Sequence, residues 1–257
     1  MEKYDKIGLT YSSSRRADAR ITQTLMSVLN LQLGANVADI GAGTGNYSHA
    51  LANRGLFIFA VEPSKSMILQ SARHDNIRWY LAKAEKLPFK NGTMDGIIAV
   101  LSIHHFTDLK EASKEMIRVC PSGRLVIFTC DPRLSQYNWL SEYFPEIISK
   151  RYDTYDDIFK IMAILEKATC RKGSLIEFPI PHDIIDKFAG SGWRRPEIYL
   201  IDSVRNSMSP FALAPKDVIA KGLLKLRNDM KSGAWVEKHG YILNLNSYDL
   251  GYRFIKL

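Results

Sequence analysis

The sequence predicts an α/β fold, a doubly wound parallel sheet with helices on both faces and a helical cap. Three observations carry this. Short apolar runs alternate with helical periodicities from residue 17 to residue 130; one of those runs opens into the glycine turn Gly41-Ala42-Gly43-Thr44-Gly45; and a long aromatic-rich segment, 181–247, separates the last two strand-like runs. With 257 residues the chain is long enough for one α/β domain with a sizeable core.

The elements follow in order. Residues 17–31 place Ile21, Leu25, Val28 and Leu29 at helical spacing, and Leu33-Gly34-Ala35-Asn36 breaks that pattern before an apolar strand over 37–40. A helix is predicted over 45–53, a strand over 56–61, a helix over 64–73, and strands over 77–81 and 96–101. After a helix over 108–119, Pro121-Ser122-Gly123 turns into 124–130, a nearly continuous apolar run typical of a strand buried on both faces. Right-handed crossovers between such units place ligands beyond the carboxyl ends of the strands. Helices over 137–150 and 155–170 then lead to strands over 174–180 and 248–255. The segment between those strands holds Trp193, Tyr199, Phe211 and Trp235 and a helical stretch over 216–231, too long and apolar for a plain loop. The expected organisation is an N-terminal helical lid (1–36), a ligand-binding core (37–180), a helical cap inserted at 181–247, and a final core strand (248–257).

Composition narrows the function. At 46% hydrophobic and 24% charged residues, disordered, collagen-like and mucin-like readings are excluded. No stretch approaches the roughly 18 to 20 uncharged apolar residues of a membrane span, and the N-terminus is polar, so a cytoplasmic protein without a membrane partner is expected. Cys120, Cys130 and Cys170 form no CxxC pair, and the histidines are scattered without HExxH, so neither a disulfide framework nor a metal is predicted. The net charge of +8 is dispersed, with +2 over 1–36, +3 over 37–130, −1 over 131–180 and +4 over 181–257. That dispersal argues against nucleic acid as the partner.

The chemistry concentrates in Val37-Ala38-Asp39-Ile40-Gly41-Ala42-Gly43-Thr44-Gly45, a strand running into a glycine turn and then a helix. Glycines there let backbone approach a ligand closely while free amides face it, although many such turns hold glycine for steric reasons alone. The spacing is GxGxG, with Asn46 where a dinucleotide site needs a third glycine, and no Gly-Lys-Ser/Thr follows. A nucleoside without a large phosphate fits better, and S-adenosylmethionine is one. Glu62, ending the next strand, is placed to accept hydrogen bonds from both ribose hydroxyls. A third segment runs Ala84-Glu85-Lys86-Leu87-Pro88-Phe89, then Asp95 and the strand to Leu101, Ser102, Ile103, His104, His105 and Phe106.

In these motifs, from about 37 to 130, the chain resembles the class I S-adenosylmethionine-dependent methyltransferases of the ubiquinone/menaquinone-biosynthesis-like branch (methyltransferase type 11). Four segments match in order: VADIGAGTG, AVEPS, AEKLPF with the following MD, and VLSIHHF followed by PSGRLVI. The resemblance implies a Rossmann-like seven-stranded sheet, six strands parallel and the last reversed. It implies that Asp39, Gly41, Gly43 and Gly45 hold the methionine part of the cofactor, Glu62 the ribose, and Ala84 the adenine through its backbone amide, with Ala42 and Pro63 also among the cofactor-binding residues. Lys83 stands where the family commonly has an aspartate that accepts from the adenine amino group; Glu85, or backbone carbonyls alone, are the alternative acceptors. Leu101 and Ser102 are expected beside the sulfonium. Tyr11 and Arg16, in a segment resembling the family's lid, are candidates to cover the cofactor.

Transfer of an activated methyl requires above all a nucleophile held in line, and a base helps when the acceptor is a hydroxyl, a carboxylic acid or a protonated amine. His104, His105 and His182 are the candidates, each with a structural alternative in packing, helix entry or a turn. Trp139, Tyr143, Phe144, Trp193 and Tyr199 can line an acceptor pocket or form the core of the cap. The expected activity is methylation of an O or N atom of a small molecule, with no obligate protein partner. Methylation of RNA or a peptide, or a cofactor-binding module without catalysis, are the alternatives.

Overall fold

A computed structural model describes residues 15–135 and 138–257. Tyr11 lies outside them. Asp18 opens α1 (Ala19–Leu29) by accepting the Arg20 amide at 2.9 Å, and the helix buries Ile21, Leu25 and Leu29 in the main core. Five parallel strands follow with their crossovers: β1 (Asn36–Ile40), α2 (Asn46–Ala52), β2 (Phe57–Glu62), α3 (Lys65–Ile68), β3 (Ile77–Leu81), β4 (Gly96–Val100), α4 (Leu109–Val119) and β5 (Arg124–Ser135). Next come α5 (Leu140–Tyr143), α6 (Pro145–Thr154), α7 (Ile158–Thr169), β6 (Ser174–Glu177) and β7 (Ile180–Pro181). The capping segment carries α8 (Asp202–Asn206), α9 (Ser209–Ala212), α10 (Lys216–Ser232) and α11 (Ala234–His239), and leads into β8 (Ser247–Tyr248) and β9 (Leu250–Lys256).

The main sheet has the order β3-β2-β1-β4-β5-β9-β6, and β9 runs antiparallel to both its neighbours. Six strands therefore share one direction and the last in sequence is reversed, as the resemblance implied. Alternate residues feed two cores. Val37, Ile58, Ile98, Val126 and Phe128 pack on the side of α1, α2 and the cap, while Ala38, Ile40, Ile97, Leu125 and Ile127 face α4 and α7. The order in which strands are added reverses between the parallel neighbours β1 and β4, which opens a crevice at the carboxyl ends of those strands.

Three predicted elements differ. The helix expected over 137–150 is broken: Phe144 closes α5, and Pro145, whose fixed φ and missing N–H suit a first helical position, starts α6. The helix expected over 64–73 stops at Ile68, because Gln70 and Ser71 donate three residues back, to Met67 and Ile68, in tight turns. The strand expected over 174–180 divides, its end becoming β7, which pairs with β8 in a separate two-stranded sheet. Among the described residues no helix is long and apolar enough to cross a membrane.

Candidate active site

The crevice is a cavity of about 300 Å³ bounded by the glycine turn, the tip of β2, the loop after β3 and the segment after β4. Gly41 has φ +73°, and a Cβ built on it would stand 2.6 Å from Ser102 Cβ, so only glycine lets the ends of β1 and β4 come this close. Ser102 fixes that approach by donating its hydroxyl to the Ile40 carbonyl at 2.7 Å. Leu101, at the cavity floor, is held at φ +53°, a strained conformation for a leucine, with its amide donating to the Phe128 carbonyl at 2.7 Å.

Glu62 links the turn to β2. Its two carboxylate oxygens accept the Gly43 amide at 2.9 Å and the Ser64 amide at 3.0 Å, and the side chain still lines the cavity. Asp39 lies beneath the turn, 2% exposed, and accepts the Ser48 hydroxyl at 2.6 Å. Burial pushes its pKa up to about 7; the Ser48 hydrogen bond opposes that shift and the nearby Glu62 charge adds to it.

The cavity brings together Gly41, Ala42, Gly43, Glu62, Pro63, Ala84, Glu85, Leu101, Ser102, His104 and His105. Asp39 and Gly45 stand behind its wall; a Cβ on Gly45 would meet Trp79 at 2.7 Å. Glu85 accepts the Thr107 and Asp108 amides at 2.6 and 3.1 Å, strapping the loop after β3 to the entry of α4. Lys83 lines the cavity beside it. Arg16 is exposed and does not line the cavity, whereas its neighbour Arg15 does, buried and ion-paired with Asp186 of the capping segment. Sequence reasoning also missed Tyr47 and Met67. Both follow a recognised motif by a few residues, and their helical spacing was the available signal.

His182 lines neither this cavity nor the one beyond it. Its amide donates to the Asn246 carbonyl at 3.0 Å, and Asp183, 3.9 Å from its ring, pairs instead with Arg20 at 2.6 Å. Trp139, Tyr143, Phe144, Trp193 and Tyr199 are all buried and line neither cavity. The Trp139 ring meets Tyr143, Tyr199 and Trp235 edge-on, and its indole N–H donates to the Trp193 carbonyl at 2.6 Å. They belong to the main core, in one cluster with side chains of α1 and the sheet.

A second cavity of about 240 Å³ adjoins the first. Of the residues lining it, His104 and His105 line both. Its other walls come from α6 and Tyr155 on one side and residues 209–218 on the other.

The first cavity suits an adenosyl sulfonium. It offers an acceptor-only carboxylate at a strand tip for vicinal hydroxyls, a glycine turn whose backbone a ligand can approach closely, and apolar flanks from Met67, Val100, Leu101 and Phe106. Comparison with known proteins agrees. A family model described as a methyltransferase domain matches residues 38–128. The crystal structure of a protein from Anabaena variabilis ATCC 29413, named "Putative methyltransferase from antibiotic biosynthesis pathway", is 43% identical over 95% of this chain and 98% of that one, with a TM-score of 0.93. The ubiquinone/menaquinone biosynthesis C-methyltransferase UbiE of Hahella chejuensis is 29% identical over 49% of this chain and 51% of its own length. A malonyl-[acyl-carrier protein] O-methyltransferase of Buchnera aphidicola is 24% identical over 99% of this chain and 94% of its own. The chain spans between 27% and 54% of the length of three other-length curated relatives, the Hahella enzyme among them. By its fold, its glycine turn and acid, and these matches, the chain belongs to the class I S-adenosylmethionine-dependent methyltransferases.

Proposed function

We propose that the protein moves a methyl group from S-adenosylmethionine to an O or N atom of a small molecule by in-line displacement. The observation that carries this reading is the pair of adjoining cavities: one at the strand ends with the features of a nucleoside site, the other compact and flanked by helices. A groove for RNA or a peptide would instead be lined by a contiguous basic face, whereas among the described residues Lys150 is the one lysine or arginine on the second cavity.

The bound cofactor supplies a methyl already activated on a sulfonium. The residues of this chain have three tasks. Gly41, Ala42, Gly43 and Glu62, with Pro63, Ala84 and Glu85, hold the nucleoside and its amino-acid tail, and Asp39 supports the turn from beneath. Leu101 and Ser102 flank the sulfur end, and the walls of the second cavity hold the acceptor within about 3 to 3.5 Å of the methyl carbon while excluding water. His104 or His105 takes up a proton when the acceptor has one to lose. In this reading 37–180 and 248–257 carry the cofactor, and 181–247 covers the acceptor together with α6 and Tyr155. Calorimetry with S-adenosylmethionine and with its demethylated product tests the first task. Transfer of labelled methyl into a metabolite mixture tests the rest. Absence of binding to both compounds overturns the reading.

A further inference from the structure

We infer that the second cavity is the acceptor subsite, and that it takes a compact molecule with an apolar, ring-sized body and a hydroxyl nucleophile presented to His104. This rests on the proposed function and adds to it the substrate class and which of the two histidines takes the proton.

The place follows from the lining. His104 and His105 form the boundary between the two cavities, so a group passing from one to the other crosses at an imidazole. His104 is half-buried, and the Tyr155 ring stacks on it at 4.2 Å with the planes 24° apart. The His105 ring lies 3.9 Å from that of His104. Tyr155 thus sets the plane of the His104 ring from the acceptor side and acts as a positioning residue.

The class follows from size and chemistry. About 240 Å³ accommodates one or two rings. Ile147, Leu213, Ala214, Pro215 and Val218 give apolar walls, and the charged lining residues Glu146 and Lys150 are both solvent-exposed on α6. A protonated amine would be taken from water into a chamber whose single lining carboxylate stays in solvent, which costs more than binding a neutral hydroxyl. Imidazole is a suitable acceptor for the hydroxyl proton near neutral pH. In the step itself the hydroxyl oxygen forms the new O–CH3 bond as the C–S electron pair returns to sulfur. The hydroxyl proton passes to neutral His104, whose imidazolium later releases it to water.

The test uses the full chain and a matched probe set, 2-naphthol and 2-(aminomethyl)naphthalene, an amine that is protonated at neutral pH. Binding of each to the complex with the demethylated cofactor is read by calorimetry, and labelled methyl transfer is read with S-adenosylmethionine. The proposal expects naphthol to bind and to be methylated at least about tenfold faster than the amine. Ala214→Trp and Val218→Phe, which fill the second cavity by different routes, should each lower naphthol affinity about tenfold and leave cofactor affinity within about twofold. His104→Asn should lower kcat with little change in KM. Tyr155→Ala should do the same to a smaller degree, and Tyr155→Phe should restore it. Preference for the amine, no naphthol binding, or unchanged naphthol affinity in a folded cavity-filling variant overturns the proposal. Loss of cofactor binding by the wild-type chain overturns the underlying reading instead, so the two failures are told apart.

Discussion

Arg15 and Asp186, 171 positions apart, form a buried ion pair on the wall of the cofactor cavity. Both guanidinium nitrogens facing the acid engage it, Nη2 at 3.1 Å, and the Tyr47 hydroxyl donates to the same carboxylate at 3.0 Å. Asp186 is 1% exposed. The contact joins the segment before α1, the start of α2 and the capping segment. A second tie runs alongside it, from the Ile185 amide to Asp18 at 3.1 Å. Removing one charge strands the other in the interior, so Asp186→Ala should cost about 3 to 5 kcal/mol in chemical denaturation. The double variant Arg15→Met with Asp186→Leu should recover most of that loss, because an apolar pair leaves no stranded charge. A double variant as unstable as Asp186→Ala would show that the pair contributes shape rather than charge balance.

Gly41 and Gly43 both have positive φ but differ in what surrounds them. A methyl on Gly41 collides with Ser102, whereas one on Gly43 meets only the Met67 methyl, at 3.5 Å. Gly43→Ala should therefore cost mainly backbone strain, about 1 to 2 kcal/mol. Gly41→Ala should lower the thermal midpoint further and separate the ends of β1 and β4. Equal midpoints for the two variants would contradict the close approach at Ser102.

Glu62 has two kinds of partner, the amides of Gly43 and Ser64 and, in the proposed function, the ribose hydroxyls. Glu62→Ala should weaken S-adenosylmethionine by about 1.5 to 3 kcal/mol through the lost charged hydrogen bonds. It should also loosen the glycine turn, visible as faster amide exchange at Gly43. Unchanged affinity measured by calorimetry would remove Glu62 from the cofactor site.

Asp39 gives a pH signature. Its pKa is raised to about 7 from an ordinary 3.8, chiefly by burial, so between those values the folded protein holds a proton that the unfolded chain releases. Stability from this group is present below pH about 4 and lost as pH rises to about 7, by roughly 4 kcal/mol at most. Asp39→Asn keeps an acceptor for Ser48 and does not ionise. The stability of the variant relative to wild type should therefore rise across this window when unfolding is followed by denaturant at pH 4.5 and pH 8. A difference that stays flat would mean that Asp39 is ionised throughout.

The parts of the site that read directly from the sequence were those fixed by local geometry. An apolar run of four residues ending at three alternate glycines defines a strand end and a turn, and Glu62 sits at the tip of the next apolar run whatever packs above it. Residue-level choices without local periodicity did not read in the same way. Arg15 and Arg16 are indistinguishable as adjacent basic residues; the buried Asp186 selects one of them.

By itself the sequence determined the alternation of strands and helices, the glycine turn with its acid, and the family those motifs resemble, because each depends on neighbours within a few residues. The tertiary structure decided what depends on distant packing. It sent the aromatic residues of the cap into a core, drew His182 away from both cavities, and set His104 and His105 between them. The physical reason is that β1, β4 and the helices after β5 meet only once the sheet is ordered and the cap has closed its apolar face, and no short-range spacing encodes which side chains those surfaces leave exposed at the join.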